Sequence, residues 1–108
     1  MATIPAKQYL KIKARYPDFV NAVELLGKTL KQAGPIDDKT AQLVQLAAAA
    51  SLRSEGAVHS HTKRALHAGA QADEIYHCLM LLTSTIGFPN VMAALSWAED
   101  IIDNISDK

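Results

Sequence analysis

A chain of 108 residues, 49% apolar, carries enough material for one hydrophobic core and is expected to form a single domain over residues 1–108. Its 11 basic and 11 acidic residues cancel, which leaves no footprint for nucleic acid or an anionic membrane surface and makes the charges read as a solvated face. No run approaches the ~20 apolar residues of a membrane span, Met1 to Lys7 lacks a signal-peptide core, and a lone cysteine, Cys78, rules out an internal disulfide framework, so a soluble, cytoplasmic protein is expected.

Lys7 to Tyr16 reads as a short first helix carrying Tyr9, Leu10, Ile12 and Ala14, interrupted by Pro17. Proline suits the first helical position, and from Pro17 the set Phe19, Val20, Val23, Leu26 and Leu30 keeps helical spacing until Gly34-Pro35 breaks it. Asp37 or Asp38 can cap a third helix, carried by Leu43 to Ala50 to about Leu52. Its consecutive alanines, Ala47 to Ala50, let another backbone approach closely on any side, so this helix belongs at the centre of the bundle or at a subunit contact. The fourth helix presents Ala57, Val58, His61, Ala65 and Ala68 at steps of three and four, and Gly69 supplies its left-handed exit. Asp73 and Glu74 then fall in the first turn of the fifth helix, where negative charge suits the dipole, behind Gln71, a weaker cap than serine or threonine. Ile75, Cys78, Leu79, Leu82 and Ile86 form its apolar stripe up to Gly87. The sixth helix opens at Pro89 and runs through Val91, Met92, Ala94, Leu95, Ala98, Ile101 and Ile102 to the polar tail Ser106-Asp107-Lys108. No sustained period-two alternation competes, so the chain reads as an all-α bundle of six helices.

The run from His61 through Ala65, Gly69 and Glu74 to Ile75 resembles the His-x3-Ala-x3-Gly-x4-Glu-Ile core of carboxymuconolactone decarboxylase and alkylhydroperoxidase D-like proteins. Ile36 to Thr40 upstream and Gly87 to Asn90 downstream extend the resemblance. It implies a single-repeat, six-helix alkylhydroperoxidase D-like bundle that assembles as a homotrimer or homohexamer, with His61 in an active centre near subunit contacts. The family's peroxidase branch carries a Cys-x-x-Cys-x-x-x-His relay and a glutamate one helix earlier. At those positions this chain has Ser54, Ala57 and Gln42. Alanine has no reactive atom, serine cannot alternate between thiol and disulfide, and a carboxamide cannot take up the relay's proton. A two-cysteine peroxidase cycle within one chain is therefore excluded. The decarboxylase branch carries additional histidine and glutamate just before its equivalent of His61; Glu55 and His59 are of suitable types at different offsets.

His61 titrates near neutrality and can exchange a proton with an organic acid, and Gln42 can hold it in orientation. The alternative is a packing histidine hydrogen-bonded to the third helix. His59, two positions away, points round the other side and reads as a surface residue. Cys78, beside apolar residues on the next helix, reads as a small buried hydrophobe. Among His59, His61, His67 and His77 no pair stands at i,i+4, so neither a metal site nor a cofactor is expected. Three functions stay open: a small-molecule binder with His61-centred, non-redox acid–base chemistry; an antioxidant activity drawing on Cys78 or an external thiol; and a catalytically silent oligomeric module. The alanine-rich third helix on a short, apolar chain points to a homo-oligomer.

Overall fold

The computed structural model describes residues 7–106. The readings of Met1 to Ala6 and of Asp107-Lys108 lie outside the described residues. In chain order the helices are α1 (Lys7–Arg15), α2 (Pro17–Gln32), α3 (Asp38–Ser51), α4 (Glu55–His67), α5 (Ala72–Met80), α6 (Thr83–Ile86) and α7 (Phe88–Ser106). The described residues contain no strand, and the fold is the all-α bundle expected.

Local chemistry sets the boundaries. Pro17 opens α2, and of the two candidate caps Asp37 is the one used, its side chain accepting from the Thr40 N–H at 2.8 Å. Two left-handed residues turn the chain at either end of α4. At Gly69 (φ +103°), the Ala70 N–H reaches the Ala65 carbonyl and the Gly69 N–H that of Leu66. At the exit of α3, Arg53 (φ +56°) makes the same pair of bonds through the Ser54 N–H to Ala49 and its own N–H to Ala50. A non-glycine residue is disfavoured there, and the Arg53 guanidinium is anchored by donating to Asn90 Oδ1. Asn90 in turn donates to the Ile86 carbonyl at 2.7 Å, tying the Gly87 turn to the α3–α4 turn.

The structure differs from the expected helices at one internal point. The apolar stripe from Ile75 to Ile86 does not lie on one continuous helix: α5 ends at Met80 and a single further turn, α6, follows. Thr83 Oγ1 donates to the Met80 carbonyl at 2.7 Å, and the Leu82 N–H takes the i−3 carbonyl of Leu79, so both groups tighten and close the last turn. At the far end Ser106 belongs to α7 rather than to the tail.

The core joins Leu46, Ala49 and Ala50 of α3, Val58 and Ala65 of α4, Ile75 and Leu79 of α5, and Ala94, Ala98 and Ile102 of α7. The alanine run serves one side only: Ala49 and Ala50 are buried, whereas Ala48 faces solvent. Small side chains let α4 lie close to α3 on one side and to α7 on the other. Lys39 of α3 and Glu74 of α5 close the bundle with an ion pair at 2.9 Å, and Glu74 also accepts from the Gln71 N–H, which gives the family's Glu-Ile motif a structural role. α1 and α2 pack on each other, with Tyr9 and Lys13 both reaching Glu24. Val20 is the buried residue of α2; Phe19, Val23, Leu26 and Leu30 share a stripe, and each exposes half or more of its surface.

Candidate functional site

α3 and α4 run side by side and bring His61 against Gln42: His61 Nδ1 lies 3.0 Å from Gln42 Oε1. With Nδ1–H donating to the amide oxygen, the ring's other nitrogen, Nε2, keeps its lone pair. Burial of the ring, then the positive charges of Arg64 one turn on and of Lys31 in the last turn of α2, hold the imidazole below its ordinary pKa of 6.5. The neutral form of the His61 ring is thereby favoured. The two helices also carry two buried polar side chains, Gln42 on α3 and Thr62 on α4. Gln42 is 1% exposed and Thr62 fully buried; Gln42 Nε2 and Thr62 Oγ1 have no hydrogen-bond partner among the described residues. A buried donor without a partner costs about 1–3 kcal/mol, an energy that a bound acceptor recovers.

Ser54 is the N-cap of α4, and its hydroxyl accepts from the Ala57 N–H at 3.3 Å. The two positions of the family's cysteine pair are therefore a helix cap and the amide it caps. Cys78 donates its S–H to the Leu43 carbonyl at 3.4 Å, and burial raises its pKa, so the thiolate needed for redox chemistry is disfavoured.

His59 does point away from His61, toward α7, but it is more than a surface residue. Its Nε2 lies 3.0 Å from Asp100 Oδ2, and its side chain is 28% exposed. Glu55, one turn earlier in the first turn of α4, completes a cluster in which one donor atom from each of Glu55, His59 and Asp100 lies within 4.8 Å of the others. The i,i+4 spacing of Glu55 and His59 is visible in the sequence; Asp100, contributed by α7, is not.

The comparisons with known proteins agree with the bundle. The family model for the carboxymuconolactone decarboxylase family matches residues 17–100. The chain belongs to that family. It is 32% identical over 92 residues to an uncharacterized protein of Methanocaldococcus jannaschii, covering 85% of this chain and 86% of that one. The crystal structure of an apo carboxymuconolactone decarboxylase family protein from Legionella pneumophila superposes with a TM-score of 0.78 at 22% identity, over 92% of this chain and 88% of the other, and shares the fold. In this member of the carboxymuconolactone decarboxylase family, the match spans α2 to most of α7 and so includes Gln42, His61 and the Glu74 ion pair. Among the described residues no helix is long and apolar enough to cross a membrane.

Proposed function

We infer that this protein binds a small organic acid at the Gln42–His61 site and uses His61 Nε2 as a non-redox base toward it. The observation that carries this reading is the 3.0 Å Gln42–His61 contact above a Gln42 Nε2 that is buried and unpartnered. The contact fixes the tautomer that leaves Nε2 basic, and the orphaned N–H is a donor for a carbonyl or carboxylate oxygen. Arg64 and Lys31 supply the positive charge that favours an anion. A proton taken by Nε2 from a position next to that carbonyl leaves the carbon's electron pair delocalised onto the oxygen, to which Gln42 Nε2–H donates a hydrogen bond. The antioxidant alternative has no such support: Ser54 is a cap, Ala57 is inert and Cys78 is held as a thiol.

The same reading takes the protein as a homotrimer or homohexamer. The apolar stripe of α2 supports assembly: Phe19 and Leu30 are each 61% exposed, a surface too costly to leave in water on a chain this short. Light scattering at low micromolar concentration checks it, with an 11.7 kDa particle as the outcome that defeats assembly.

Titration calorimetry with a panel of small carboxylates tests the site. His61→Asn keeps polarity but removes the base, and is expected to abolish turnover or weaken binding at least about tenfold, a loss of about 1.4 kcal/mol. His59→Asn is expected to leave both unchanged. Equal effects of the two substitutions would overturn the assignment.

A further inference from the structure

We propose that Glu55, His59 and Asp100 form a second site, across α4 from His61, that binds one divalent first-row transition-metal ion. The donors come from two helices held by the core. Glu55 and His59 stand one turn apart on the same face of α4, and Asp100 is presented by α7 next to Ile101 and Ile102, both buried. Val58, fully buried beside His59, fixes the other backbone. The His59 Nε2 to Asp100 Oδ2 separation of 3.0 Å is within a few tenths of an ångström of the roughly 3.4 Å between two ligands about 2.1 Å from a tetrahedral ion. Glu55, whose oxygen lies within 4.8 Å of the other two donor atoms, reaches the third position by a change of side-chain rotamer at an exposed site.

The donor set selects the ion. Two carboxylates neutralise a dication, and an imidazole favours zinc, copper, iron or nickel over magnesium and calcium, which prefer oxygen ligands. In the metal-free protein His59 Nε2 and Asp100 Oδ2 are hydrogen-bonded. To bind the ion the neutral ring presents the Nε2 lone pair and carries its single proton on Nδ1. Three protein ligands leave further coordination positions to water, so the site is open. The mixed donor set and its origin on two packed helices separate this cluster from an ordinary acidic surface.

Zn²⁺ titrated into the full chain at pH 7, read by calorimetry, tests this. One ion per chain is expected, with Mg²⁺ at least about a hundredfold weaker. His59→Ala and Asp100→Asn, each checked for helicity by circular dichroism, should weaken Zn²⁺ binding at least about tenfold, and His61→Asn should change it less than about twofold. Absence of saturable binding overturns the proposal. So does binding that survives both substitutions, or that is lost in His77→Ala or Cys78→Ser instead. Should His59→Ala fail to fold, Asp100→Asn and the Zn²⁺-induced shift of the His59 ring protons in the wild-type chain decide the matter: a shift confined to another histidine counts against the site.

Discussion

On its α3 side α4 sets His61 against Gln42, which is sealed from water; on its α7 side it sets His59 against Asp100, whose side chain is 56% exposed. The two histidines are two residues apart on one helix, and each has an oxygen partner at 3.0 Å. They nevertheless differ in kind. Burial of the ring and the nearby positive charges of Arg64 and Lys31 hold the His61 pKa down, which favours its neutral form. His59, by contrast, meets a carboxylate that is more than half exposed to solvent. The partner and the burial, rather than the histidine, decide the chemistry available.

The largest expected effect breaks the buried side. Gln42→Ala removes a buried side chain and leaves the His61 N–H without its acceptor, and is expected to cost about 2–4 kcal/mol in chemical denaturation. The same truncation across the helix, Asp100→Ala, should cost far less. Equal losses would show that the two sides are not energetically distinct.

Thr62→Val probes the buried face of α4 in the opposite direction. The shapes match, and Thr62 Oγ1 has no partner. Replacing an unpaired buried hydroxyl with a methyl should stabilise the ligand-free protein by about 1 kcal/mol. Destabilisation, or loss of organic-acid binding, would show that the hydroxyl is used.

His61 also predicts a pH dependence. Its folded pKa lies below the unfolded value near 6.5, so below that pH the unfolded chain binds the proton first. The stability His61 contributes is complete above about pH 6.5 and falls as pH drops toward the folded pKa. His61→Asn should flatten that part of a stability–pH curve. Gln42→Glu, by placing a carboxylate on Nδ1, should raise the His61 pKa and weaken or reverse the slope, which histidine ring-proton titration follows directly.

Much of this molecule is written in local chemistry. Pro17, Asp37, Gly69 and Gly87 each stop or start a helix through their own backbone or side chain, so those boundaries are legible in the sequence. The break after Met80 is not, because Leu79, Leu82 and Ile86 continue a helical period across it, and the closing bond from Thr83 to Met80 is a choice between competing local hydrogen bonds. Arg53 gives no sign of its left-handed backbone, which its link to Asn90 holds in place. The meeting of His61 and Gln42 is reached through the family's spacing. Asp100, 41 residues from His59, comes to it through the packing of α4 on α7, which no spacing encodes.

The smallest expected effect lies on that outer side. An ion pair whose carboxylate is more than half exposed exchanges its attraction for hydration and for side-chain freedom, so Asp100→Asn should lower stability by less than about 1 kcal/mol. Whatever loss occurs should shrink further as salt is raised from 0.05 to about 1 M, where charges are screened over about 3 Å. The Gln42→Ala loss, which involves no full charge, should hold through the same range. Salt-dependent melting of the two variants therefore separates the sides of α4 by mechanism as well as by size. A salt-insensitive loss of 2 kcal/mol or more in Asp100→Asn would mean that Asp100 is sealed against α4 as Gln42 is, and that the contrast between the two histidines is one of partner alone.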